Sequence, residues 1–195
     1  MADLIFLKKY NCLDMSKFFG PRVQQGYVVP DIHLDIRNWL KREIGPFFLE
    51  KLQNYPAEVD GHSVLVNLSA AFAYSGDQQI EVIQAEDNTN TVYGEYLERN
   101  PQGGLQHHGF WTNNISDQIT KLKESESGFL VRQPYEDCHV YLDEVDCPGV
   151  MIQLMARDEK TEQLFRIVQE GAENWDGASN PIREIDWSSG WPVSA

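Results

Sequence analysis

A faint internal repeat, offset by 83 positions, most constrains what this chain can fold into. Residues 24–32, which read QQGYVVPDI, match residues 107–115, which read HHGFWTNNI. Beyond both stretches, apolar residues keep helical spacing, and a glycine follows each run, Gly45 in the first copy and Gly128 in the second. A repeat this long predicts two copies of one supersecondary unit, with a candidate site between the copies. The polar residues that open each copy are therefore the first candidates for function.

Strand and helix signals follow the same order, β-α-β-β-β, in both copies. In the first copy a strand leads into a helix with Asp31 as its N-cap, and Gly45-Pro46 is a stop signal. Residues 54–61 are predicted to form a loop. The predicted strands are residues 23–29, 47–52, 63–74 and 78–84 in the first copy and 105–112, 129–133, 138–144 and 150–155 in the second, whose helix is predicted at 114–124.

This pattern divides the chain into five segments. The two modules are flanked by a lead segment without a clear pattern and by a tail that contains a helix, with Leu164, Ile167 and Val168 on one face. A polar stretch between the modules is predicted to be a linker. The segments are the lead 1–22, the first module 23–84, the linker 85–104, the second module 105–156, and the C-terminal helix and coil 157–195.

Composition excludes several classes of partner. The formal net charge is −14 and no cluster of Lys or Arg offers the counterion release that nucleic-acid binding needs, so no nucleic-acid partner is expected. No stretch approaches the roughly 18 apolar residues of a membrane span, and the apolar run at the N-terminus is too short for a signal peptide. Three cysteines without CxxC spacing fit a reducing compartment. A cytoplasmic protein without a membrane partner is therefore expected.

Paired units of this kind resemble the vicinal oxygen chelate superfamily, the glyoxalase-like group of glyoxalases, methylmalonyl-CoA epimerases, extradiol dioxygenases and bleomycin-resistance proteins. The resemblance covers residues 23–156. It is carried by residues 27–31 and 107–110, which look like the opening strands of two modules, and by residues 79–84, which look like a closing strand. It implies an α+β fold in which two paired β-α-β-β-β modules form an open cup-shaped sheet, here with an extra C-terminal helix.

In that family, metal ligands come from the first and last strand of each module. Carried over by position, the resemblance implies Gln24 and Glu81 as ligands from the first module and His107 and Gln153 from the second. Strand alternation favours His107 over His108, because His107 shares a face with Gly109. A register shifted by one residue would instead bring His108 and Gln25 into the site. Gln24 and Gln153 are equally compatible with a role as hydrogen-bonded polar groups inside the cup.

The ligand set suggests a kind of chemistry. A His nitrogen with carboxylate and amide oxygens suits a divalent ion such as Zn, Ni, Co, Mn or Fe, which stabilises an enolate or enediolate as a Lewis acid. The resemblance implies a closing-strand carboxylate as the base, which makes Glu81 the expected catalytic residue. Gln153 departs from the family pattern, because it stands where a second glutamate is expected and an amide cannot act as a base.

Two functions remain open at this stage. The first is a metal-assisted lyase or isomerase that acts on a small oxygenated substrate, such as an α-keto compound or a thioester. The second is a metal-free small-molecule-binding protein similar to bleomycin-resistance proteins. Either way the partner is a small molecule, and a homodimer is implied by the resemblance alone. The residues expected to contact the substrate or ligand are His108, Trp111, Phe72, Tyr141 and Met155.

Overall fold

The computed structural model describes residues 19–59, 61–86, 90–125, 128–136, 138–145 and 149–194. These residues form ten strands and four helices. In chain order the elements are β1 (Arg22–Val28), α1 (Ile32–Leu40), β2 (Phe47–Val59), β3 (His62–Ser75), β4 (Gln78–Ala85), α2 (Val92–Arg99), β5 (Gly104–Thr112), α3 (Ile115–Glu124), β6 (Phe129–Tyr135), β7 (His139–Glu144), β8 (Met151–Ala156), α4 (Glu159–Glu173), β9 (Ile182–Asp186) and β10 (Val193–Ser194).

The strands form one mixed sheet in the order β10-β9-β2-β3-β4-β1-β5-β8-β7-β6. Although β2 and β6 stand far apart in this order, Tyr55 on β2 stacks on Tyr135 on β6, with ring centroids 5.5 Å apart. The sheet must therefore curl until its two sides approach each other. The α+β fold of two paired modules in a cup-shaped sheet is confirmed.

The strand register makes the internal repeat visible in three dimensions. β1 and β5 pair antiparallel at the middle of the sheet, with Gln25 opposite His108 and, on either side of this pair, Gln24 opposite Gly109 and Gly26 opposite His107. These pairs are related by the 83-residue offset, so the Gln25–His108 pair lies at the centre of the pseudo-twofold relation. Both modules of one chain thus contribute to one cup.

Helices cover both faces of the sheet. On the convex face, Ile32 and Ile36 of α1 join a core cluster with Ile80 and Val82 of β4, and Ile115 of α3 belongs to the equivalent cluster of the second module. The side chains of Asp31 and Asn114 cap these two helices by accepting backbone N–H groups, as the Asp31 N-cap prediction required. The concave face contacts α2 and α4 instead.

Two segments differ from their sequence-based predictions. The loop predicted from residue 54 is wrong as far as residue 59, because β2 continues to Val59, with an irregular register between Leu52 and Tyr55. Pro56 is tolerated there because this part of β2 pairs only with β3. The predicted linker contains α2, which is capped by Thr91 and anchored by the buried side chains of Val92 and Tyr93.

The tail covers the cup. Leu164 and Val168 of α4 and Ile185 of β9 belong to the same buried cluster as Phe48 and Phe72 on the concave face. β9 also extends the sheet by pairing parallel to the start of β2. Most of the lead segment 1–22 lies outside the described residues. In the described part of the chain no helix combines the length and the apolar character of a transmembrane span.

Candidate metal and substrate site in the cup

A cavity of about 460 Å³ opens on the concave face of the sheet. Most of its lining is apolar or aromatic, and it includes three of the residues predicted to contact substrate, which are Phe72, Tyr141 and Met155. Leu164 and Phe165 of α4 close one side of it. Polar side chains also line it, among them the carboxylates Glu50, Glu81 and Asp158 and the amine of Lys160. A mostly apolar cavity with polar groups at defined positions is typical of a small-molecule site.

Strand alternation directs Glu81 into the cup. Its neighbours Ile80 and Val82 pack in the convex cluster, whereas Glu81 lines the cavity and is only 8 % exposed. His107 is fully buried, and its Nε2 lies 3.1 Å from Oε2 of Glu81 and 3.4 Å from Oε1 of Gln24. Three of the four predicted ligands are therefore brought together, one from β4, one from β5 and one from β1.

The protonation of the His107 ring follows from its neighbours. Nε2 of Gln106 donates to the sulfur of Met151, which leaves Oε1 of Gln106 as the acceptor 2.7 Å from Nδ1 of His107. Nδ1 therefore carries a proton, and in the neutral ring Nε2 presents a lone pair towards Glu81. Although the two atoms are close, no aligned hydrogen bond joins Oε2 of Glu81 to the ring. Two acceptors facing each other require a shared cation or a second ring proton.

Gln153 adds a fourth acceptor. Its Nε2 donates to the Tyr141 hydroxyl over 3.0 Å, and its buried Oε1 has no hydrogen-bond partner. Gln153 pairs with Gly109 in the sheet just as Glu81 pairs with Gly26, so the two residues are equivalent in the two modules. One imidazole nitrogen, one carboxylate and two amide oxygens suit a divalent cation, and the residues present fit such a group. Within the described residues, no group of three or more His, Cys, Asp or Glu side chains is placed to hold a metal.

Two glycines make room for these side chains at the seam between modules. A Cβ atom on Gly26 would lie 1.8 Å from Cε1 of His107, and one on Gly109 would lie 2.8 Å from Cβ of Gln24. Because neither glycine has a side chain, the His107 ring can lie over Gly26 and the Gln24 side chain over Gly109. The shared glycine of the repeat is thus explained by close packing inside the cup.

Glu50 is a buried carboxylate that the sequence analysis missed. It pairs with Ala70 on β3, while Glu81 pairs with Phe72 on the same strand, so β3 separates the two carboxylates by two strand spacings, roughly 10 Å. Nε1 of Trp187, in the tail, donates to Oε2 of Glu50 over 2.7 Å. Together the surroundings raise the pKa of Glu50 to about 7: burial raises it most, the Trp187 hydrogen bond lowers it, and the nearby Glu81 adds a smaller increase.

A group of tyrosines and one histidine form the far wall of the cup. The hydroxyl groups of Tyr93, Tyr135 and Tyr141 are hydrogen-bonded to one another, at 3.1 Å for Tyr93–Tyr141 and 3.0 Å for Tyr135–Tyr93. Burial raises the pKa of Tyr93 and Tyr141 well above the usual value, so both phenols keep their protons. His139 stacks on Tyr135, and burial together with the nearby His107 lowers its pKa to about 3. His139 is therefore neutral at pH 7.

Two residues predicted to contact substrate lie elsewhere. Trp111 is not part of the cavity lining and packs on Phe165 of α4, with ring centroids 4.5 Å apart. His108 alternates with His107 and shares its face with Phe110, which belongs to the convex cluster. Burial, followed by the charges of Arg22 and His107, lowers the pKa of His108. His108 therefore lies on the face of the sheet away from the cup.

Two β-α-β-β-β modules that share one cup define a class of proteins by their fold. A family model described as Glyoxalase/Bleomycin resistance protein/Dioxygenase superfamily matches residues 23–142. The chain belongs to this superfamily. The sequence-based recognition of a glyoxalase-like protein is therefore confirmed.

Solved structures show the same fold at low sequence identity. Methylmalonyl-CoA epimerase from Mycobacterium tuberculosis is 13 % identical, with a TM-score of 0.50 over 75 % of this chain and 93 % of that one. A hypothetical protein from Bacillus halodurans C-125 is 14 % identical, with a TM-score of 0.53 over 71 % and 95 %. No curated protein sequence matches the chain. At these identities the similarity establishes the fold alone.

Proposed function

We propose that the chain is a divalent-cation-assisted lyase or isomerase that moves a proton on a small oxygenated substrate, an α-keto compound or a thioester. One observation carries the proposal. Nε2 of His107 and Oε2 of Glu81 face each other at 3.1 Å in a buried site, while Oε1 of Gln153 is buried without a partner. Buried acceptors are costly when unpaired, and a cation satisfies several of them at once.

The residues divide into two roles. Gln24, Glu81, His107 and Gln153 would hold the cation, which when bound supplies Lewis-acid stabilisation of negative charge on a substrate oxygen. A ligating carboxylate is poorly available as a base, so the proton-transfer role expected of Glu81 passes to Glu50. With a pKa of about 7, Glu50 is populated in both protonation states near neutral pH, as a group that removes and returns a proton must be.

The tail contributes to this chemistry. Trp187 donates a hydrogen bond to one oxygen of Glu50 and thereby orients the carboxylate. Residues of α4 close the cavity above the sheet. Exclusion of water strengthens the electrostatic interactions that stabilise a developing enolate. The neighbouring epimerase from Mycobacterium tuberculosis is named for action on a CoA thioester, which supports the thioester class among the two substrate classes.

Metal binding is the direct test. Full-length protein purified without a chelating tag is analysed for metal content and titrated with Zn, Ni, Co and Mn by calorimetry. His107→Ala and Glu81→Ala should each weaken binding at least tenfold, because each removes a ligand of the set. His33→Ala is the matched control, since His33 is exposed on α1, and Glu50→Gln should keep the metal. No bound metal and no thermal shift with any of the four ions would overturn the proposal.

A second function is favoured by the chemistry of the cavity wall. Its apolar and aromatic lining would bind an apolar ligand without a metal, as expected of a protein similar to bleomycin-resistance proteins. This function predicts that aromatic ligands raise the melting temperature of metal-free protein and of the His107→Ala variant equally. Thermal shifts that require both the metal and His107 would exclude it.

A further inference from the structure

The hydrogen bonds behind the tyrosine wall have a defined direction. The backbone N–H of Val92, at the start of α2, donates to Oε1 of Gln133 over 2.9 Å. This bond fixes the orientation of the Gln133 amide, because only its oxygen accepts. Nε2 of Gln133 must then donate to the hydroxyl oxygen of Tyr135. A backbone group thus fixes which end of the Gln133 amide faces Tyr135.

The hydrogen bonds continue in the same donor-to-acceptor order through the hydroxyl groups of three tyrosines. A hydroxyl has one proton and two lone pairs, so Tyr135 accepts from Gln133 and keeps its proton, which it donates to Tyr93 over 3.0 Å. Tyr93 then donates to Tyr141 over 3.1 Å. Tyr141 also accepts from Nε2 of Gln153 over 3.0 Å. Both of its closest polar neighbours are therefore donors, and its own proton is left to donate elsewhere.

We infer that the Tyr141 hydroxyl donates its proton into the cup and binds an acceptor oxygen of the substrate beside Gln153. Tyr141 lines the cavity and contacts His107 edge-on, with ring centroids 5.1 Å apart, so its hydroxyl group lies near the seam of the modules. The substrate feature it selects is a carbonyl, carboxylate or enolate oxygen. This inference rests on the proposed function only for the location of the substrate.

The orientation of Gln153 agrees with this direction. Its amide nitrogen donates to Tyr141, and its buried oxygen has no hydrogen-bond partner. The opposite arrangement, in which Tyr141 donates to Oε1 of Gln153, would place an amide nitrogen in the cup. In that arrangement the donor that faces the substrate is an N–H of Gln153 and not the Tyr141 hydroxyl, so the preference for an acceptor oxygen would survive Tyr141→Phe in the test below.

The test compares two probes of similar size on metal-free full-length protein. Acetophenone has a carbonyl acceptor, and ethylbenzene has none. One hydrogen bond predicts that wild type binds acetophenone roughly two- to tenfold more tightly than ethylbenzene. Tyr141→Phe should abolish this preference, whereas Tyr96→Phe should keep it, because the Tyr96 hydroxyl donates to the carbonyl oxygen of Leu105 outside the cavity lining. Ligand-observed NMR measures all of these affinities.

An infrared measurement makes the test independent of how well the variants fold. The carbonyl stretch of ¹³C-labelled acetophenone bound to wild type should lie at lower frequency than that of the same ketone in an apolar solvent, where it accepts no hydrogen bond. Equal affinity for the two probes in wild type, or a preference that Tyr141→Phe retains, would overturn the inference. Because no metal is added, these results do not depend on metal binding. A missing metal site with a preserved acetophenone preference would reject the proposed function and retain the role of Tyr141.

Discussion

The cup opposes the ionisation of Glu50. An ordinary glutamate ionises near pH 4.5, whereas burial raises the pKa of Glu50 to about 7. Between these values the folded protein binds more protons at this site than the unfolded chain does. The free energy of unfolding therefore decreases as the pH rises from 4.5 to 7, by on the order of 3 kcal/mol for this residue. Below pH 4.5 Glu50 is protonated in both the folded and the unfolded state, so it no longer lowers the free energy of unfolding.

Glu50→Gln tests this effect on stability. The amide cannot ionise and can still accept from Trp187, so the variant should lose this part of the pH dependence. Relative to wild type it should gain stability steadily between pH 4.5 and 7 and keep that gain at higher pH. Urea unfolding at a series of pH values measures the difference. A difference that stays constant across this range would show that Glu50 is ionised at its usual pKa.

The site residues differ in how far the sequence could predict them. Gln24, Glu81, His107 and Gln153 were carried over by position from the family resemblance, and strand alternation then favoured His107 over His108. Glu50 follows Phe47, Phe48 and Leu49 in a strand that is buried on both faces, so no alternation marks it. Its partner Trp187 is 137 residues away in the sequence, and only the fold of the tail reveals their contact.

At the scale of elements, α4 determines how closed the cup is. Gly171 lets this helix approach the sheet, because a Cβ atom there would lie 2.4 Å from Cζ of Phe48. The apolar spacing of the tail predicted its helix, but periodicity does not say which surface a helix will cover. The loop predicted from residue 54 was wrong as far as residue 59 for a related reason, since pairing with β3 outweighed the turn signals of Asn54 and Pro56.

Gly171→Ala tests the docking of α4. In an exposed helix this change stabilises by up to about 1 kcal/mol, but here the methyl group must displace Phe48, and overpacking costs roughly 1–3 kcal/mol. We expect a net loss of stability in urea unfolding and faster proteolysis of the tail. Gly149→Ala is the matched control, because a Cβ atom there has no neighbour within 4 Å. A more stable Gly171→Ala variant would contradict the packing of α4 on Phe48.

At the scale of the whole molecule, the cup is complete within one chain. β1 and β5 pair across the pseudo-twofold centre, and each module supplies two of the four acceptor residues. The two modules differ in chemistry. Gln24 occupies in the first module the position that His107 occupies in the second, and Gln153 occupies in the second module the position that Glu81 occupies in the first. A homodimer remains a prediction, and it is not needed to bring the four residues together.

This asymmetry predicts different effects of equivalent substitutions at the seam. Gly26→Ala would place its methyl group 1.8 Å from the fully buried His107 ring, whereas Gly109→Ala would meet Gln24 and Met155 at 2.8–2.9 Å, contacts that include side-chain ends able to shift. Overpacking should lower the stability of Gly26→Ala by roughly 1–3 kcal/mol, and more than that of Gly109→Ala. Because His107 is displaced, the metal affinity of Gly26→Ala should fall at least tenfold. Urea unfolding and calorimetric titration with Zn measure the two effects, and equal losses in both variants would show that the ring can move aside.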